Sequence, residues 1–152
     1  MLAEHEVYRR IKAVDIGPVL RVIDKLEFAD SGGVCAWVTK QGSAAPPELV
    51  TLIRSLQLGG TVKRCFCRKL MPRQCIPPHV DEWMPQELNW RRFQVPLVSH
   101  PDIVMRWPDD GVEVHLEPGY LYEVRFDRMH EVVHKADCER IHLQIDQVDA
   151  TI

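Results

Sequence analysis

His79-Val80-Asp81, His130 and Arg140 are the residues of this chain whose types and order could carry chemistry. An imidazole and a carboxylate two positions apart, with a second imidazole far downstream, form a donor set that leaves open positions on one side of an Fe(II) ion. In an extended segment alternate residues share a face, so His79 and Asp81 reach the same side while Val80 points away. Each part alone has a plainer reading. His79 beside Asp81 is also a common surface ion pair, and His130 a common half-buried imidazole. Among seven histidines, His134 and His142 fit the third position as well as His130 on spacing alone.

Arg140 stands ten positions past His130. A guanidinium donating two parallel hydrogen bonds suits a carboxylate that must leave water, such as the distal carboxylate of a metal-bound 2-oxo acid. It opens the run Arg140-Ile141-His142-Leu143-Gln144-Ile145, in which Arg140, His142 and Gln144 share one face and the aliphatic residues the other. Turned inward, the polar row is costly unless a ligand satisfies it; turned to solvent, it costs nothing. Alternation does not choose between the two. Arg92 and Gln94 pose the same question opposite Phe93, Val95 and Leu97.

The elements that must position these residues are mostly strands. Tyr8 to Val14 reads as extended, and Asp15 with Pro18 gives a helix start before Val19 to Leu26. After a short apolar stretch, Val34 to Val38, a second helix opens at Pro46-Pro47-Glu48, with Leu49, Leu52, Ile53 and Leu56 at helical spacing and Gly59-Gly60 as its end. From Thr61 the period becomes two. Met71-Pro72 and Pro77-Pro78 mark a turn that delivers His79. Strands follow at Arg91 to Val98, Tyr120 to Phe126, Glu131 to His134 and Arg140 to Ile145. Ile103 to Trp107 pairs with Val112 to Leu116 across Pro108-Asp109-Asp110-Gly111, where Asp-Gly supplies positive backbone dihedrals. Short strands after two helices predict a mainly β sandwich or jelly roll with the helices packed outside.

With 152 residues the chain is expected to be one domain, residues 1–60 a helical lead-in and 61–146 the β core. A net charge of −3 gives no positive field to attract nucleic acid, and no apolar run is long enough for a membrane helix. Five cysteines, an odd number, argue against a disulfide framework and for a reducing cytoplasm. Cys65, Cys67, Cys75 and His79 offer a structural zinc set, although the C-x2-C spacing of a zinc knuckle is missing. Between Glu48 and Asp81 there is no acid, while Arg54, Lys63, Arg64, Arg68, Lys69 and Arg73 fall there. That window is either a solvated strand face or a positive wall beside a site for anionic substrates.

From about Thr61 to Asp146 the sequence resembles the aspartyl/asparaginyl β-hydroxylase family of Fe(II)/2-oxoglutarate oxygenases. The likeness lies in Ile76-Pro77-Pro78-His79-Val80-Asp81, in Arg91 to Leu97, and in Gly119 through His134 continued by Arg140-Ile141-His142-Leu143. The resemblance implies a double-stranded β-helix, cupin-like, with iron held by His79, Asp81 and His130. It implies 2-oxoglutarate on Arg140, with Arg92 a second contact and Gln94 and His142 beside it, and O2 as the further cosubstrate. Gln94 stands where the family more often has His, and can donate a hydrogen bond but carries no charge. The implied reaction hydroxylates a free amino acid or an Asp or Asn side chain of a peptide, with 2-oxoglutarate decarboxylated to succinate. Trp83, Trp90 and the Val34 to Trp37 segment are candidates for the substrate wall. The competing classes are a cupin-like metal-binding or interaction domain without turnover, and the structural zinc protein.

Overall fold

A computed structural model describes residues 1–28, 34–35, 45–82 and 89–148. Trp83 and most of the Val34 to Val38 stretch lie outside these residues.

Two antiparallel sheets face each other. In the larger, the strand order is β1 (Tyr8–Ala13), β8 (Tyr120–Val124), β5 (Trp90–Val98), β10 (Arg140–Val148), β3 (Thr61–Leu70) and β2 (Val34–Cys35). In the smaller it is β4 (Ile76–His79), β9 (His130–His134), β6 (Ile103–Trp107) and β7 (Val112–Val114). This is the expected double-stranded β-helix. Because β1 pairs with β8, with Tyr8 opposite Val124, the larger sheet reaches back into the first 60 residues.

The helices pack on the outer face of the larger sheet. Helix α3 (Pro47–Ser55) follows its leucine spacing and buries Leu49 and Leu52 against Cys65, Cys67, Val95, Leu143 and Ile145. The expected helix over Val19 to Leu26 is instead a single turn, α2 (Gly17–Leu20), followed by a 3-10 turn at Ile23–Lys25. Its β-branched residues, Val19, Val22 and Ile23, restrict χ1 and favour helix weakly; their burial comes from packing, with Val19 fully buried.

Two local outcomes differ from the sequence reading. Pro77-Pro78 is not a turn but the middle of β4, which is the edge of its sheet. Proline donates no ladder hydrogen bond, so an edge position with both rings exposed is where a strand accepts it. The β6–β7 hairpin forms with Trp107 opposite Val112, but its loop is a 3-10 turn over Pro108–Asp110, closed by Gly111 at φ 65°. Only that glycine, not both central residues, takes the left-handed conformation. A different constraint acts at Gly60, where a Cβ would lie 2.6 Å from the Val148 carbonyl oxygen.

Candidate metal centre and its cavity

The antiparallel register of β4 on β9 sets His79 directly opposite His130 at the end of the smaller sheet. Their ring centroids are 4.3 Å apart. Asp81 follows two residues later, its backbone N–H donating to the Phe126 carbonyl at 3.3 Å. One ligand atom from each of His79, Asp81 and His130 lies within 4.8 Å of the others. Asp81 offers Oδ1 at 3.5 Å from His79 Nε2 and Oδ2 at 3.6 Å from His130 Nε2.

Hydrogen bonds on the far side of each ring decide which nitrogen is free. His79 Nδ1 donates to the Pro77 carbonyl at 2.8 Å, and His130 Nδ1 to the Arg128 carbonyl at 2.7 Å. Both protons are therefore on Nδ1, and both Nε2 lone pairs turn toward Asp81. Burial holds His130 below the ordinary histidine range, with His79 adding to the effect. A neutral imidazole is the form that ligates a metal. The donor set of two imidazole nitrogens and one carboxyl group fits a divalent first-row metal with open positions.

Asp81 is steadied by a buried charge network. Arg92 donates from Nη1 to Asp81 Oδ2 at 2.6 Å, and from Nε and Nη2 to the two oxygens of Asp146 at 2.7 and 3.2 Å. Burial works against the Arg92 charge, but the bonds to Asp146 and Asp81 outweigh it and raise its pKa. Arg92, expected as a second cosubstrate contact, thus lines the cavity with its guanidinium directed at two acids.

From Asp146 a relay of side chains runs along the inner face of the larger sheet. Gln144 donates to Asp146 at 3.2 Å, Gln94 donates to Gln144 at 3.5 Å, and His142 Nδ1 donates to Gln94 Oε1 at 2.9 Å. The polar row is therefore the inward one, and the aliphatic row faces the helices. Gln94 fixes the orientation of His142. There the relay ends: His142 Nε2 and Arg140 Nε are buried without a hydrogen-bond partner. Burial, and Arg140 behind it, hold the His142 imidazole well below its ordinary range. Arg140 is 4% exposed and opposite Leu70, beside an apolar cluster with Ile103, Val132 and Ala136. Burial first, and the neighbouring Arg68 second, push its guanidinium down to about 9. Among the described residues it has no acidic partner.

These groups surround one cleft with a cavity volume of about 60 Å³. Ile76, Met105 and Val132 give it an apolar wall from the smaller sheet. Of the other candidate residues, His134 is buried four positions along β9 and accepts a hydrogen bond from Ala136, away from the cleft. Trp90 starts β5 off the cleft walls. The zinc set does not assemble: Cys65 and Cys67 sit in the helix-side core, the Cys65 thiol pushed up to about 12 by burial, while His79 faces the other side of the sheet. His79, Asp81 and His130 form the one such metal-ligating group among the described residues. Asp146, Arg64 and Arg68 were not singled out as site residues in the sequence. Asp146 continues the Arg140, His142, Gln144 alternation by one step, and the acid-free window holds both arginines.

No protein-family model and no curated protein matches this sequence. Solved structures do resemble it in fold. The viral collagen prolyl hydroxylase vCPH of Paramecium bursaria Chlorella virus-1, in a 2OG complex, superposes with TM-score 0.64 at 12% identity, over 99% of this chain and 100% of that one. The non-haem α-ketoglutarate-dependent carbocyclase SnoK from nogalamycin biosynthesis gives 0.62 at 16% identity, over 99% and 77%. The non-haem monooxygenase ThoJ, as its nickel complex, gives 0.57 at 14%, over 93% and 73%. At these identities the likeness establishes the fold alone: a mainly β, cupin-like double-stranded β-helix shared with non-haem oxygenases.

Proposed function

We propose that this chain is an Fe(II)- and 2-oxoglutarate-dependent dioxygenase that hydroxylates a free amino acid or an Asp or Asn side chain of a peptide. The observation that carries this reading is a pair of features in one cleft: the converging Nε2, Nε2 and carboxylate donors, and a buried Arg140 with no acid of its own. The resemblance of the three quoted stretches to aspartyl/asparaginyl β-hydroxylases supports it, as does a fold shared with oxygenases.

Fe(II), loaded with 2-oxoglutarate and O2, supplies an oxidative decarboxylation to succinate coupled to hydroxylation of a C–H bond. The chain's own residues do the rest. His79, Asp81 and His130 hold the ion on one side, and Arg92 keeps Asp81 Oδ2 aimed. Arg140 binds the distal carboxylate of the cosubstrate at the closed end, beside His142. The partnerless guanidinium is costly in the empty site, and a carboxylate ligand removes that cost, so specificity for a diacid is built into the burial. Met105 and Val132 keep water from the methylene chain.

Anaerobic addition of Fe(II) and 2-oxoglutarate together is expected to give a weak visible charge-transfer band, and aerobic addition to give succinate. His130→Ala is expected to remove both while the protein stays folded by circular dichroism. A wild-type protein without the band, or equal succinate formation by His130→Ala, overturns the assignment and leaves the non-catalytic cupin-like reading.

A further inference from the structure

Four guanidiniums line the cleft, those of Arg64, Arg68, Arg92 and Arg140, more than the cosubstrate can use. Arg68 lies on β3 opposite His142, its side chain lining the cleft that holds the metal ligands and Arg140. Its Nε is buried with no hydrogen-bond partner, and among the described residues it has no acidic partner. Desolvation, with Arg64 next to it, lowers its pKa, and both Asp81 and Arg92 lie within electrostatic reach. Arg68 in turn lies within electrostatic reach of Arg140.

Charge counting separates the roles. Arg92 is matched by Asp81 and Asp146. A divalent ion and a doubly charged 2-oxoglutarate offset each other, and the cosubstrate's two carboxylates are spent on the ion and on Arg140. Arg64, opposite Asp146 on β10, is held over the Phe66 ring with Asp146 within electrostatic reach, which leaves Arg68, beside Arg140, as the uncompensated guanidinium. It is also less buried than Arg140, so it faces a molecule entering after the cosubstrate has taken the closed end.

We infer that Arg68 is a specificity-determining residue that binds a carboxylate of the substrate, and that the substrate class is carboxylate-bearing rather than a neutral amide. This rests on the oxygenase reading above and narrows it. A free amino acid, or a peptide reacting at Asp or next to its own C-terminus, satisfies Arg68. An Asn side chain within a neutral stretch leaves the charge unmet. A charge-assisted bond in a partly desolvated cleft supplies the discrimination, since the matching amide forfeits the ionic part of it.

The test follows the side-chain Nε–H signals of Arg68 and Arg140 by NMR, in the 152-residue chain loaded with diamagnetic zinc. Arg68→Lys and Arg140→Lys assign the signals by their loss. Stoichiometric 2-oxoglutarate is expected to move the Arg140 signal. N-acetylglycine added next is expected to move the Arg68 signal, and N-acetylglycinamide to leave it in place. Arg68→Gln is expected to weaken N-acetylglycine binding by about tenfold or more while changing 2-oxoglutarate affinity by less than about twofold. Arg68→Lys is expected to keep most of the binding. An Arg68 signal that moves with 2-oxoglutarate alone, that ignores N-acetylglycine, or that responds equally to the amide overturns the inference. An Arg140 signal unmoved by 2-oxoglutarate defeats the oxygenase reading instead, and the two failures are read from different signals.

Discussion

The two faces of β10 are equally buried yet obey opposite rules. Toward the helices, Ile141, Leu143 and Ile145 fill an apolar core with Leu49, Leu52 and Val95. Toward the smaller sheet, Arg140, His142, Gln144 and Asp146 stand in a row at 8% exposure or less. A core's stability comes from the apolar face, at roughly 25 cal/mol per Å² removed from water. The polar face draws on that reserve. At the Asp146 end its groups are mutually satisfied, and at the Arg140 end they are not. The contrast separates what holds the fold from what is left unsatisfied within it.

The sharpest way to break this comparison is to mutate both faces. Leu143→Ala is expected to cost about 2–5 kcal/mol of unfolding free energy through the cavity it leaves, and to spare cosubstrate affinity in the fraction that stays folded. Arg140→Leu is expected to do the reverse: an unchanged or higher urea midpoint, with 2-oxoglutarate affinity down by about thirtyfold or more. If Arg140→Leu destabilises as much as Leu143→Ala, the polar row is structural and the comparison fails.

A smaller effect separates the two ends of the polar row. Asp146→Asn weakens the hold of Arg92 on Asp81 without touching a ligand, and metal affinity by calorimetry is expected to fall about tenfold. Loss confined to 2-oxoglutarate binding, with metal affinity intact, would place Asp146 at the wrong end.

Smallest is a pH slope. His142 is buried neutral, its folded pKa below the ordinary 6.5. Below that value the unfolded chain binds a proton that the folded one resists, so stability falls as pH drops. For this one group the slope is at most about 1.4 kcal/mol per pH unit. Urea unfolding of metal-free protein between about pH 7.5 and 5 is expected to show a shallower slope in His142→Gln than in wild type.

What could be read from the sequence divides along the same line. That His79, Asp81, His130 and Arg140 could share a cleft was legible because period-two alternation puts such residue types on shared faces and because their surroundings resemble a known family. The direction of each face was not, since Arg140-His142-Gln144 reads identically against solvent or a cavity. Only the second sheet, with Met105 and Val132 across the gap, settles that direction. Arg68 stayed hidden among six bases in the acid-free window. The structure sorts them by partner: Lys69 meets Glu139 at 3.2 Å and Arg73 meets Asp137 at 2.7 Å, while Arg64 and Arg68 turn into the cleft. Pro77-Pro78 misled because two prolines usually end a strand, and sequence does not say which strand will be an edge.

That proline pair has a consequence beyond local geometry. The strand that carries His79 is the edge of its sheet, and an open sheet rim is a template on which a stray extended chain can zip. Successive N–H groups point to opposite edges of a strand, so one of the two prolines removes a donor from the open rim that such a chain would need. Among the described residues, the edge beside the cleft is thus a poorer seed for aggregation.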